Sequence, residues 1–251
     1  MELGLKDRVV LVTGASRGIG AAITAALAYQ GATVIINFCS NRDKAEELLT
    51  RIKKNNGKGM VLQADVRDRG QVNKMVDTAA KEFGKIDVLV NNANISFPVK
   101  PFTELSWEEL ESKITGEMKA LYNCAQAVLK DMQKRKQGKI ILISSGLSRR
   151  PGYGFSAHAA AKSAVDGIAK VMAMELGAHG ITVNVVGPGL TLTDAISRQP
   201  EEMLKRSADA NPLKRIGTPD DIAGAVVFLA SSLSDYITGE YIPVNGGSFM
   251  I

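Results

Sequence analysis

Short, nearly unbroken runs of valine and isoleucine alternate along this chain with longer segments of helical periodicity, and that pattern restricts the fold more than any other feature. The runs lie at 8–13 (RVVLVT), 32–38 (ATVIINF), 59–64, 86–91 (IDVLVN), 139–144 (KIILIS), 181–186 (ITVNVV) and 240–244. A strand with one face in water alternates apolar and polar residues, so continuous hydrophobicity means that both sheet faces are covered. Helical crossovers between such strands produce a parallel sheet between two helix layers. Right-handed crossovers then wind it as a Rossmann-type, doubly wound α/β fold, a three-layer αβα sandwich of seven strands.

With 251 residues, 45% of them hydrophobic and 23% charged, the chain can fill one such domain, 1–251, with a sizeable core. Ser106 with Glu109 forms a candidate capping box. Thr218-Pro219-Asp220-Asp221 sets a cap, a first-turn proline and an acid ahead of an apolar helix. His179, in GAHG, is placed as a helix C-terminal cap. The least regular stretch, about 189–217, follows the sixth strand at the carboxyl edge of the sheet, where ligands of such folds bind. It reads as a substrate lid, or else as an ordinary long crossover.

The net charge of +5 is dispersed. Its densest runs, KNNGK at 54–58 and KDMQKRKQGK at 130–139, fall where helices should end and complement the helix dipole. No aromatic or zinc pattern accompanies them, so no nucleic-acid partner is expected. Cys39 and Cys124 are far apart and the chain has only two histidines, which argues against a disulfide framework or a metal site. The start, MELGLKD, carries no signal-peptide pattern, and no apolar run approaches the roughly 18 residues of a membrane span. The expectation is a soluble, cytoplasmic protein without a membrane partner.

TGASRGIG at 13–20 follows the first strand and opens the first helix, the context in which a glycine motif cradles a dinucleotide. Gly14 permits the tight turn, Gly18 lets the backbone approach a pyrophosphate, and Gly20 allows close helix packing; Ser16, Arg17 and Ile19 complete the loop. At the end of the second strand, where an acid would bind the ribose hydroxyls of NAD, stand Phe38, Cys39, Ser40, Asn41 and Arg42. No acid there repels a 2′-phosphate, Arg17 and Arg42 can bind one, and Ser40 and Asn41 offer neutral donors. NADP(H) is therefore favoured over NAD(H), although Arg42 could equally be a solvated surface cation.

The whole chain resembles the short-chain dehydrogenase/reductase family, in the subgroup that includes 3-oxoacyl-carrier-protein reductases. The motifs that carry the resemblance are TGASRGIG, QADV at 63–66, NNAN at 91–94, ISS at 143–145, Lys162, VGPG at 186–189 with Thr193, and GGSFM near the end. The resemblance implies a nicotinamide cofactor and a homotetramer or homodimer. It places Asp65 and Val66 by the adenine, although Asp65 could also be a turn acid. Asn92, Ala93 and Asn94 would run beside the cofactor, and Pro188, Gly189, Leu190 and Thr193 would hold the carboxamide. Asn94 replaces a glycine, a substitution that asparagine's tolerance of left-handed backbone would ease.

In such enzymes a tyrosine exchanges the proton, a lysine lowers its pKa and holds the ribose, a serine orients the carbonyl, and an asparagine supports a water relay. Ser145 and Lys162 fall in register here, but His158 stands at the tyrosine position and Glu117 at that of the asparagine. Glu117 could preserve part of the relay or simply pair with Lys162. His158 could donate a proton near its ordinary pKa of about 6.5, with Lys162 disfavouring the imidazolium unless Glu117 compensates. Tyr153 could swing in as a substitute donor, or could line the substrate pocket or the surface.

Phe97, Tyr153 and Phe155, with residues 95–103 and 190–205, suggest a pocket for a mid-sized apolar substrate. The resulting expectation is an NADPH-dependent reductase acting on a carbonyl or imine carbon. The alternatives are a non-redox acid–base enzyme, such as a dehydratase or isomerase, and a catalytically silent NADP-binding partner or sensor. The helices at 103–136 and 156–178 and the apolar C-terminal tail, unless it packs on its own subunit, are the candidate surfaces for self-association.

Overall fold

The computed structural model describes residues 2–194 and 196–250. Its strands are β1 (Val9–Val12), β2 (Thr33–Phe38), β3 (Lys58–Gln63), β4 (Val88–Asn91), β5 (Gly138–Ile143), β6 (Ile181–Pro188) and β7 (Tyr241–Val244). They form one sheet in the order β3-β2-β1-β4-β5-β6-β7, with every pairing parallel. The order reverses direction between β1 and β4. That switch point opens the crevice in which ligands of this fold class bind.

Between the strands run α1 (Gly18–Tyr29), α2 (Arg42–Lys54), α3 (Arg69–Phe83), α4 (Trp107–Arg135), α5 (Ser156–Leu176), α6 (Glu201–Ala210) and α7 (Pro219–Ala230). Successive residues of β1 feed opposite layers: Val9 and Leu11 join a cluster with Leu121 of α4 and Val165 of α5. Val10 and Val12 join Ile23 and Leu27 of α1 and Ile222 of α7. Each such fully buried aliphatic side chain stabilises the sheet by about 1.5–3 kcal/mol relative to exposure, which is why the strand runs carry almost no polar residues.

The helix ends follow local chemistry. Ser106 and Glu109 form a reciprocal capping box on α4, and Thr218 and Asp221 form one on α7, with Pro219 in the first turn. The Asp221 carboxyl is held far below the usual carboxylate range, first by hydrogen bonds from Arg215 and then by the Thr218 backbone. The basic runs close α2 and α4 as expected. His179 is only the last residue of a single 3-10 turn; the left-handed residue that stops the chain there is Gly180, at φ +66°.

The 189–217 segment is an excursion with a pinned neck. Thr191 bridges Gly217, and the Leu192 N–H donates to the Gly217 carbonyl at 2.8 Å. α6 lies within it and buries none of its own residues; Ala195, also within it, lies outside the described residues. The C-terminal tail packs on its own subunit as far as Phe249, whose carbonyl accepts from Asn245 at 3.0 Å. Met250 is exposed and Ile251 lies outside the described residues. No helix among the described residues is long and apolar enough to cross a membrane.

Candidate active site

The carboxyl ends of β1 to β4 open into a cleft of about 810 Å³. The glycine loop, with Gly14, Ser16, Arg17, Gly18, Ile19 and Gly20, forms one wall, and Cys39 to Asn41, Asp65 to Arg67 and Asn92 to Ser96 form the other. Glycine is required where these walls meet. Gly14 has φ +61° and a Cβ there would lie 2.9 Å from the Ala93 Cα; at Gly20 a Cβ would lie 2.5 Å from Asn92 Nδ2 and from the Gly14 carbonyl oxygen.

Two polar residues that the sequence reading overlooked hold the walls in register. Thr13 Oγ1 accepts from the N–H groups of Asn92 at 2.9 Å and Ala93 at 3.0 Å. Asn37 Oδ1 accepts from Gly14 N–H at 3.2 Å while its amide donates to the Ala64 carbonyl at 3.1 Å. Their signal was present: each is a polar residue inside an otherwise apolar strand run, and a buried polar group requires a partner.

Beyond β3, Asp65 is the turn acid that the sequence allowed. It lines the cleft, and its carboxylate accepts from the backbone N–H and guanidinium of Arg67, the side-chain bond being the main reason its pKa is lowered. Val66 lines the cleft as its core-buried neighbour. Ser40 and Asn41 face the cleft, but Arg42 does not. Its guanidinium donates to Gln63 Oε1 at 3.2 Å, pairs with Glu46 and lies over the Phe38 ring, because its place at the start of α2 turns it outward. Lys44 faces the cleft instead, pairing with Asp194 at 3.1 Å, and Arg198 joins it.

At the other end the structure separates residues that the sequence grouped. Thr193 lines the cleft, whereas Pro188, Gly189 and Leu190 do not; Pro188 ends β6 beside Val244, and Gly189 N–H is bound to the Val244 carbonyl at 2.9 Å. Asn94 has no left-handed backbone, so the reason proposed for tolerating it does not apply. Its side-chain oxygen instead accepts from Lys113 at 2.7 Å.

Behind that contact lies a buried charge cluster. Glu117 Oε2 accepts from Lys113 Nζ at 2.6 Å, and Glu117 Oε1 is ion-paired with Lys162 Nζ. Lys113 also donates to the Ile95 carbonyl at 2.8 Å, and Lys162 to that of Ile143 at 2.9 Å. Burial disfavours ionised Glu117, but Lys162 and then Lys113 outweigh it and lower its pKa. Burial, opposed by Glu117 and assisted by Lys162, brings Lys113 down to about 8. Glu117 therefore does pair with Lys162, while Lys113, which is 0% exposed, was not anticipated: in sequence it is one more lysine on an amphipathic helix.

His158 and Lys162 lie one turn apart on α5, both buried. The imidazole stacks on Phe97, and its Nδ1 is buried without a hydrogen-bond partner. Burial first, then the Lys162 and Lys113 cations, push its pKa down to about 3, with Glu117 opposing too weakly to restore it. His158 is therefore a neutral imidazole at pH 7, the outcome expected where Glu117 does not compensate for Lys162. Ser145 lies two residues beyond the end of β5, capping a short 3-10 turn; its Oγ accepts from Leu147 N–H at 3.2 Å, and its carbonyl is held by Tyr241 Oη at 3.1 Å. Phe155 packs against Phe97 with ring centroids 6.2 Å apart and planes tilted by 57°. Tyr153 is 84% exposed.

The family described as enoyl-(acyl carrier protein) reductase matches residues 14–248. The chain is 37% identical over 246 residues to a 3-oxoacyl-(acyl-carrier-protein) reductase FabG of Staphylococcus epidermidis, covering 97% of this chain and 100% of that one. It is 36% identical to a 3alpha-hydroxysteroid dehydrogenase of Mediterraneibacter gnavus, over 99% of each. Among solved structures, a 7 alpha-hydroxysteroid dehydrogenase complexed with NADH and 7-oxo glycochenodeoxycholic acid superposes with a TM-score of 0.93 at 30% identity, covering 98% of this chain and 96% of that one. With the seven-stranded parallel sheet and the glycine-loop cleft, these matches show that the chain belongs to the short-chain dehydrogenase/reductase family of oxidoreductases.

Proposed function

We propose that the protein is an NADPH-dependent reductase acting on a carbonyl or imine carbon of a mid-sized apolar substrate. The observation that carries this reading is the cleft itself: no carboxylate stands at the end of β2, and Arg17, Lys44 and Arg198 supply cations around it. The glycine loop, Asp65, Val66, Asn92, Ala93 and Thr193 would hold the dinucleotide, and the space fits one because the walls approach too closely at Gly14 and Gly20 for any side chain. When bound, the cofactor supplies a hydride. The relatives' names, a 3-oxoacyl reductase and hydroxysteroid dehydrogenases, support a carbonyl and alcohol pair as the reacting group.

Ser145 and neutral His158 would orient the substrate, the unpartnered Nδ1 exchanging a hydrogen bond with it, while Phe97 and Phe155 give the apolar wall. An iminium substrate would need no proton from the protein. Exposed Tyr122 on α4 and Val171 and Met174 on α5 support a homodimer or homotetramer; light scattering that finds a monomer at micromolar concentration would contradict it. The reductase reading is tested by fluorescence titration with NADPH and NADH, followed by NADPH oxidation at 340 nm over ketones, β-ketoacyl thioesters and cyclic imines.

A second reading, a silent NADP-binding partner or sensor, is favoured by the Glu117 grip on Lys162. It predicts tight NADPH binding with no consumption on any of these substrates.

A further inference from the structure

Ser145 is half-buried at the head of its 3-10 turn, and its two polar groups have separate tasks. A hydroxyl has one proton to give and two lone pairs with which to accept. Ser145 Oγ accepts from Leu147 N–H, and among the described residues its own proton has no acceptor, so that proton is free for a ligand. The Ser145 carbonyl fixes the turn. It accepts from Ser148 N–H at 3.0 Å and from Tyr241 Oη at 3.1 Å, a contact that spans 96 residues of chain. Ser148 Oγ also lies 2.8 Å from that carbonyl, but only 2.6 Å from Asp166 Oδ2. Its single proton goes to the charged and nearer acceptor, which leaves Tyr241 as the one side-chain donor to the Ser145 carbonyl among the described residues.

The surrounding residues are built to accept that contact. Tyr241 is buried on β7, and burial raises the pKa of its phenol, so the group is protonated and donates. Gly187, on β6, faces it: a Cβ there would overlap both Oη and Cζ of Tyr241, so any other residue would displace the ring. The Arg149 guanidinium lies over the ring, 4.7 Å from its centroid, and its Nε donates to Asp166 at 3.2 Å. Asp166 is itself buried on α5, where a carboxylate without partners would be costly. Its partners, Ser148 and Arg149, both belong to the turn that Ser145 opens.

We propose that Tyr241 is a positioning residue for the reaction: through the Ser145 carbonyl it sets where the serine hydroxyl meets the substrate oxygen, with Arg149, anchored on Asp166, holding its ring. The inference rests on the reductase reading. Hydride transfer to a carbonyl carbon builds negative charge on the oxygen, and a donor stabilises that charge best when it is already aimed at it. A displacement of about 1 Å at such a donor can cost on the order of 10²-fold in rate. Tyr241 acts only through Ser145, since its hydroxyl is spent on the serine's main chain.

The test compares the natural chain with Tyr241→Phe, which keeps the ring and removes only the donor. The expected result is a fall in kcat of about tenfold, the order of one lost hydrogen bond. KM and the NADPH Kd should stay unchanged, as for an interaction expressed only in the transition state. In a Ser145→Ala background the same substitution should have no further effect, because its route to the reaction is gone; single-turnover hydride transfer reads these low rates. A merely structural role would lower the denaturant midpoint without this coupling. Unchanged kcat in Tyr241→Phe, or an equal fall in the Ser145→Ala background, overturns the assignment alone. NADPH that binds but is never consumed by the natural chain overturns the reductase reading and the assignment with it. If Tyr241→Phe does not fold, Gly187→Ala, which keeps every hydroxyl but displaces the Tyr241 ring, should give the same fall; full kcat in Gly187→Ala then overturns the assignment.

Discussion

The ring of Phe97 lies against the imidazole of His158, with centroids 4.4 Å apart and planes inclined by 22°. The same ring carries the Lys113 ammonium over it at 4.9 Å. Phe97 therefore helps keep water from both groups, and burial is the largest influence lowering each pKa.

Phe97→Ala should admit water and raise the His158 pKa toward the ordinary value of about 6.5. With two histidines in the chain, an NMR titration of the Cε1 protons resolves His158 from His179. A His158 signal that still fails to titrate above pH 4 would show that the lysine charges, not burial, keep it neutral.

The same imidazole should make the fold sensitive to acid. Its folded pKa, about 3, lies below the unfolded value of about 6.5, so between these the unfolded chain binds more protons and stability falls as pH falls. His158→Phe removes this contribution. Urea unfolding at pH 7 and pH 5.5 should show the variant gaining roughly 1 kcal/mol on the natural chain over that interval; an equal loss in both would contradict the assignment.

Glu117→Gln leaves Lys113 and Lys162 buried without a counter-charge and should cost about 3–5 kcal/mol, with Lys113→Met in the same chain restoring part of it. Denaturant midpoints of the single and double variants measure both effects. A single variant as stable as the natural chain would mean that water reaches the cluster.

Lys44→Ala should weaken NADPH binding by roughly tenfold, the value of one charge-assisted contact, and leave NADH nearly unchanged. Paired fluorescence titrations read this difference. Equal losses for both cofactors would place Lys44 away from the 2′-phosphate, bracing only Asp194.

Much of this was legible in the chain because its signals are local. Each strand falls within one or two residues of its apolar run, since a strand covered on both faces carries few polar residues, and those, like Asn37, need a buried partner. The capping boxes at Ser106 and Thr218 depend only on side chains three positions apart. The failures concern direction and company. Arg42 and Lys44 are both cations at the start of α2, and only the helix rotation decides which faces the cleft. Lys113 looks like any lysine on an amphipathic helix until the segment after β4 folds over it and brings Asn94 and the Ile95 carbonyl to its ammonium. For His158 the sequence offered Lys162 as the cation that disfavours the imidazolium, but not the burial that is the largest cause of its lowered pKa, nor the added Lys113 charge.

The most direct test of the account is NADPH oxidation by the natural chain, His158→Ala and His158→Tyr over the same substrates. A neutral His158 that orients the substrate predicts turnover by the natural chain and a loss in His158→Ala well short of the 10²–10⁴-fold typical of a lost general acid. No turnover by the natural chain, with activity appearing only in His158→Tyr, would contradict it and show a silenced reductase.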